Sequence, residues 1–192
     1  MNYLNISILG FLALFFVSCS GGNMEQEMDT NQQENEAPQE NSFTELVSVL
    51  HATEGNDVSG VVRFSQSDEG VRVEAEVTGL EPNSTHGFHI HEFGDCTATD
   101  GTSAGGHFNP EDQPHAGPES AMRHIGDLGN ITADDEGVAE ADFVDPMLTF
   151  NGPNNILGRG VIVHAGEDDL ESQPTGDAGS RMTCGVIGVA QQ

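Results

Sequence analysis

The chain has 192 residues, carries 32 Asp and Glu against 5 Lys and Arg, and has a formal net charge of -27. That balance argues against nucleic acid and anionic membrane surfaces as partners. The length suggests one domain once the N-terminus is set aside.

Ile6 to Val17 is almost wholly apolar and too short to cross a bilayer. It stops at Phe16-Val-Ser-Cys19, just before Ser-Gly-Gly. Residues 1–18 resemble a bacterial lipoprotein signal, which makes Cys19 the lipidated first residue of the mature chain. Two departures are visible: no Lys or Arg precedes the apolar core, and Phe16 sits where leucine is commoner. An ordinary signal peptide cut nearby is the alternative. Either implies export, to a cell envelope or periplasm. Residues 19–42 are Glu, Gln, Asn and Met with one proline and no apolar period, which reads as a disordered acidic tether. The folded domain is expected over 43–192.

Cys19 aside, Cys96 and Cys184 remain. In an oxidising compartment these are expected to pair, with two buried free thiols as the alternative. Closing a loop of that length contributes ~4 kcal/mol on the chain-entropy account.

The periods along the domain are two-fold. Val71, Val73, Ala75 and Val77 alternate with Arg72, Glu74, Glu76 and Thr78, as in a half-buried strand. Similar runs occupy Glu45–Leu50, Val58–Ser65, His86–His91, Leu128–Thr132, Val138–Val144, Gly160–His164 and Cys184–Ala190. Ser67-Asp-Glu-Gly70 and Asp134-Asp-Glu-Gly137 look like hairpin connections. No helical period appears. The expectation is an all-β fold: an eight-stranded antiparallel sandwich or flattened barrel. Two long loops interrupt it, Gly94 to Gly126 and Gly166 to Arg181, and loops of that length are commonly functional.

Of the eight histidines, only His51 lies well outside one constellation. His89 and His91, two apart on a strand, project from one face. A His-x-His pair alone says little, but His107, His115, His124, Asp127 and His164 follow it. His107, His115, His124 and Asp127 are N and O donors suited to tetrahedral zinc, and the Ile-Gly between His124 and Asp127 lets both converge. His89, His91 and His164 suit copper, and His107 can serve both metals if it loses both ring protons.

Five blocks then carry a family resemblance. They are His86-Gly-Phe-His-Ile-His-Glu-Phe-Gly-Asp-Cys96, Thr102-Ser-Ala-Gly-Gly-His-Phe-Asn-Pro110, Arg123-His-Ile-Gly-Asp-Leu-Gly-Asn130, Val161-Ile-Val-His164 and Gly179-Ser-Arg-Met-Thr-Cys-Gly-Val186. In this order they closely resemble the copper/zinc superoxide dismutases, over about Val58 to Gln191. The resemblance implies a Greek-key β-sandwich. It implies His89, His91, His107 and His164 as copper ligands, and His107, His115, His124 and Asp127 as zinc ligands, one ion of each per subunit. It makes Cys96–Cys184 the disulfide that anchors the long loop, and Arg181 the arginine beside the open copper face. Asp168 becomes the carboxylate linking a copper-side to a zinc-side imidazole, and His86 a structural histidine bonded to backbone. His107 and Arg181 are the catalytic pair it implies.

The implied activity is dismutation of superoxide to O2 and hydrogen peroxide. An exported copper/zinc buffer without turnover is the runner-up, and a surface interaction domain that lost the chemistry is a third reading. Arg181 argues against the buffer, since storage needs no anion clamp. The expected partners are superoxide and no nucleic acid, with a membrane reached only through a lipid at Cys19 and a homodimer left open. Two departures bear on the last points. The segment between Cys96 and His107 is longer than in the common eukaryotic form, and the loop before Arg181 is short and has no lysine. Asn83-Ser-Thr and Asn130-Ile-Thr are sequons for which a bacterial-type signal gives no use.

Overall fold

The computed structural model describes residues 43–191. The signal segment, the tether and Cys19 lie outside the described residues. Eight strands run in the order β1 Glu45–Ala52, β2 Ser59–Ser67, β3 Gly70–Thr78, β4 Thr85–His91, β5 Asp127–Thr132, β6 Val138–Asp145, β7 Gly160–Val163 and β8 Thr183–Val189. A three-residue 3-10 turn, Thr102–Ala104, lies in the first long loop. No helix among the described residues is long and apolar enough to cross a membrane.

The alternation that predicts each strand also builds the core. On β3, Val71, Val73, Ala75 and Val77 are buried, and the intervening residues are exposed or half-buried. Leu46, Leu50, Val62, Phe64, Phe88, Ile90 and Ile187 join them in one cluster. Each such side chain, fully buried, contributes about 1.5–3 kcal/mol. The apolar face therefore sets the register, because a one-residue slip would turn it to water.

Every ladder is antiparallel, and the spatial order is β5-β4-β7-β8-β1-β2-β3-β6. The barrel is nearly closed. Its seam lies between β5 and β6, and this corrects one expectation. Ser67–Gly70 does turn a true hairpin, with Ser67 paired to Gly70. Asp134–Gly137 instead joins strands that share only the bridge Ala133–Ala139. After that turn β6 pairs along its whole length with β3. Turn chemistry is local, whereas strand pairing is decided by which edge is free.

The disulfide forms between Cys96 and Cys184, residues 88 apart in sequence, and fastens the first long loop to β8. Both long loops then lie over the outer face of β4, β5 and β7. Along β4, Phe88 and Ile90 enter the core while His89 and His91 face those loops, so the strand is buried on both sides.

Candidate metal centre

β4 supplies two imidazoles, and its neighbours bring the rest within reach. His164 directly follows β7, which pairs with β4 through Phe88–Val163 and His89–Ile162. His107 forms a bridge to His91, and Asp127 opens β5 opposite His89. Gly126 makes the close approach: Ile90 N donates to its carbonyl, and a Cβ there would meet Ile90 O at 2.1 Å. Any larger residue would lift His124 and Asp127 off β4.

The result is two donor sets that share His107: His89, His91, His107 and His164, and then His107, His115, His124 and Asp127. Within each set the ligand atoms lie within 4.8 Å of one another, and every residue is buried. Sequence had placed these seven residues together, and the structure brings all of them together.

The hydrogen bonds settle which nitrogens are bare. His91 Nδ1 donates to Gly105 O at 2.9 Å and His164 Nδ1 to Gly179 O at 3.0 Å. A carbonyl only accepts, so both protons sit on Nδ1 and both Nε2 lone pairs are free. Those two Nε2 atoms face each other at 3.3 Å, and neither neutral ring can donate to the other. His89 Nε2 is tied to Asp168 Oδ2 at 2.7 Å, which leaves its Nδ1 buried without a partner. His107 Nε2 is likewise buried and unpartnered. Four bare nitrogens converging in a buried space are costly unless a cation sits among them. An all-imidazole set of this kind suits copper.

On the other side Asp127 Oδ1 is the focus. It lies 2.7 Å from His107 Nδ1, 3.0 Å from His115 Nδ1 and 3.1 Å from His124 Nδ1. The His115 approach is a charge contact rather than a directed hydrogen bond, because His115 Nδ1 has no hydrogen-bond partner. Three nitrogens around one carboxylate oxygen, with no thiolate, suit tetrahedral zinc. Asp127 Oδ2 is held separately by the N–H groups of Ala116 and His124.

Electrostatics divides the two sets. Burial holds His107 down to about 4, against the opposing pull of its Asp127 hydrogen bond. Burial, and then the nearby His89, hold His164 down to about 3. His91 is also pushed well below its ordinary value, by burial first and His107 second. These rings are therefore neutral near pH 7, as ligands must be. His115 differs: burial pulls it down, but the adjacent Asp127 and Asp168 carboxylates outweigh that and raise it to about 9. Burial opposes ionisation of Asp127 and Asp168, yet their histidine hydrogen bonds hold both carboxyls below the ordinary range.

Around these sets the other expected residues take their places. Asp168, 1% exposed, spans His89 Nε2 and His115 Nε2, at 2.7 and 2.9 Å. His86 Nδ1 lies 2.8 Å from His164 O, a contact to backbone. Arg181 pairs with His164 in a bridge and donates from Nη1 to Gly101 O and from Nη2 to Gly105 O. Each terminal nitrogen keeps a second N–H for an anion.

Both the ligand order and the shared histidine coincide with one known family, and comparison with known proteins agrees. Residues 58–187 match the copper/zinc superoxide dismutase family model. The chain belongs to this family. It is 48% identical over 158 residues to a copper/zinc superoxide dismutase of Paramecium bursaria Chlorella virus 1, covering 79% of this chain and 83% of that one. The Saccharomyces cerevisiae superoxide dismutase is 47% identical over 156 residues, covering 77% of this chain and 99% of that one. The Xenopus laevis superoxide dismutase A is 51% identical over 139 residues, covering 69% and 90%. Among solved structures, the clock protein EA4 superposes with a TM-score of 0.71 at 38% identity, covering 79% of this chain and 98% of that one.

Sequence reasoning missed several residues of this dismutase site. The carbonyls of Gly105 and Gly179, which orient His91 and His164, carry no side-chain signal at all. Arg123 is 1% exposed; its Nη1 donates to His124 O and Ile125 O and its Nη2 to Asp145 Oδ2 at 2.5 Å, so it holds the zinc-side turn against β6. Asn130 and Gln173 each bond the backbone of a site residue. Asn130 had registered only as the end of a family block and as part of a sequon, with no role at the site.

Proposed function

We propose that this chain dismutates superoxide at a copper ion held by His89, His91, His107 and His164, beside a zinc ion held by His107, His115, His124 and Asp127. The single observation that carries the assignment is His107, whose two ring nitrogens face the two donor sets. Two superoxide ions and two protons give O2 and hydrogen peroxide. When bound, copper supplies the one-electron chemistry in both directions, and zinc supplies the charge that lowers the pKa of His107. Arg181 binds the anion with the N–H groups its carbonyl contacts leave free, in a fork suited to a small oxyanion. His107 takes a proton on Nε2 after the first superoxide is oxidised and gives it to the second as that one becomes peroxide, with water providing the other. Asp168 holds His89 and His115 in orientation from between them, and the Cys96–Cys184 bond holds the loop whose carbonyls fix Arg181. A copper/zinc buffer would have no use for that guanidinium.

The charge pattern shapes the rate. Among the described residues Arg63 is exposed on β2, which pairs with neither β4 nor β7, Arg72 is engaged by Asp142, Arg123 by Asp145, and Arg159 stacks on Phe108 at 4.2 Å, leaving Arg181 as the cation at the cluster. The loop before it carries Glu167, Asp168, Asp169, Glu171 and Asp177 and no lysine. Long-range repulsion of an anion is screened as the Debye length falls from about 30 Å at 0.01 M salt to about 8 Å at 0.15 M. The pull of a guanidinium at contact is screened less. The testing experiment is metal content and dismutation rate of the purified domain across ionic strength. One copper and one zinc per chain are expected, with kcat/KM rising or flat as salt increases. A preparation that binds both metals without turnover would establish the buffer instead, and a steep fall in rate with salt would overturn the steering argument.

A second copy of this chain is the partner we assign to one exposed apolar face. Val49 and Val61 pair across β1 and β2 and are 49% and 36% exposed. Val186 is 43% exposed on β8, and Phe93, 54% exposed, precedes a Gly94 that packs on it. Patches of this kind mark association surfaces. Sedimentation of the same preparation is expected to give a dimer.

The protein is exported and anchored in a bacterial cell envelope through lipid at Cys19, on this reading. Its support is the short apolar segment ending at that cysteine, the polar tether after it, and a disulfide that suits an oxidising compartment. Cys19→Ser should move the protein from the membrane fraction to the soluble fraction of the envelope. An unchanged membrane fraction would remove the anchor.

A further inference from the structure

The loop before Arg181 meets the zinc side through two primary amides that do the same thing. Gln173 Oε1 accepts from His115 N at 2.8 Å, while its Nε2 donates to His115 O at 2.8 Å and to Glu171 O at 3.0 Å. Asn130 Oδ1 accepts from Asp168 N at 2.8 Å and its Nδ2 donates to Asp168 O at 2.8 Å. Each side chain thus satisfies both backbone groups of one residue, as a neighbouring strand would. The two residues so held are themselves joined, His115 Nε2 lying 2.9 Å from Asp168 Oδ1.

The surrounding loop is built to present Gln173. Asp169 Oδ1 accepts from the N–H groups of Glu171 and Ser172, Gly176 N donates to Ser172 O, and Asp169 N donates to Gly176 O. These bonds close residues 169–176 into a compact turn. Gly176 lies at φ 66° directly over the link, and a Cβ there would meet Asp168 Oδ1 at 1.8 Å and His115 Nε2 at 2.7 Å. Leu170 packs on Gly117, where a Cβ would come within 3.2 Å of its Cδ1. The turn therefore covers the His115–Asp168 bond and grips the residues on both sides of it.

We propose that Gln173, with Asn130 opposite, is a positioning residue that fixes the His115 backbone and so sets how long zinc stays bound. The inference rests on the zinc assignment above. His115 sits on a loop outside the barrel, and nothing in a strand ladder holds its main chain. Loss of the clamp lets the ring swing away from Asp127 while the barrel stays intact.

The test is zinc release to a chelator from the zinc-loaded full chain, together with the melting temperature of the metal-free protein. Gln173→Ala is expected to release zinc about tenfold faster, at the low end of effects for residues that orient ligands. Its metal-free melting temperature should not change. Gln173→Glu keeps the shape and the acceptor but cannot donate to His115 O or Glu171 O, and it should release zinc at least as fast as the alanine variant. Gln113→Ala is the control, since that side chain bonds only Glu111 O nearby, and its release rate should match the parent. Parental release rates in both Gln173 variants would overturn the clamp, and so would a lowered metal-free melting temperature with unchanged release. A parent that binds no zinc, or a His115→Ala variant that holds it as tightly, would instead overturn the zinc assignment, and the clamp with it.

Discussion

His107→Ala is expected to leave the barrel folded while removing nearly all dismutation. The ring is buried, but it lies outside the apolar cluster that holds the strands together, between His89, His91, His115, His124 and His164. Its removal takes one donor from each metal set and the only imidazole common to both. On the proposed mechanism it also removes the group that carries a proton at Nε2, and a positioned acid of this kind is worth about 10²–10⁴ in rate. Copper and zinc should each bind more weakly and no longer be coupled. The checks are metal stoichiometry, dismutation rate and the far-ultraviolet spectrum of the strands. A variant that keeps both metals and near-full activity would end the bridging assignment.

The second large effect is expected at Asp127. Its Oδ1 is the point on which His107, His115 and His124 converge, and its Oδ2 holds the N–H groups of Ala116 and His124. Asp127→Ala removes the one negative charge of the zinc set and frees the turn that carries His124. Zinc affinity should fall about a hundredfold or more, beyond the effect of losing a merely orienting group. Copper should still bind, because His89, His91 and His164 are held by Asp168, Gly105 and Gly179 rather than by Asp127. Metal analysis after dialysis against a chelator reads both at once. Unchanged zinc stoichiometry would take Asp127 out of the site, and equal loss of copper would show that the two sets are not separable as described.

The Arg181 guanidinium illustrates how far local pattern reaches. Its neighbours in sequence, Gly-Ser on one side and Met-Thr-Cys on the other, mark it as a site residue through family resemblance. What fixes it is a pair of carbonyls on Gly101 and Gly105, far away in the chain and held there because Cys96 is tied to Cys184. Gln173 shows the opposite case. It sits in an acidic loop with no periodicity, and its role exists only once the His115 backbone lies beside it.

The sequence by itself determined the eight strands, because alternation with a period of two is a local property that one buried face enforces on every strand. It also singled out the seven residues of the two donor sets, through their donor types and the family resemblance of the blocks that carry them. Strand pairing was decided only by the tertiary structure: Asp134–Gly137 turns the chain, yet β6 goes to β3, because a ladder forms with whichever edge is open in space. The same holds for the tautomers of His91 and His164, for the Arg123–Asp145 pair behind His124, and for the amide clamps on His115 and Asp168. Each depends on a backbone group of a distant residue. Backbone N–H and C=O are the same at nearly every position, so no residue type announces them before the chain is folded.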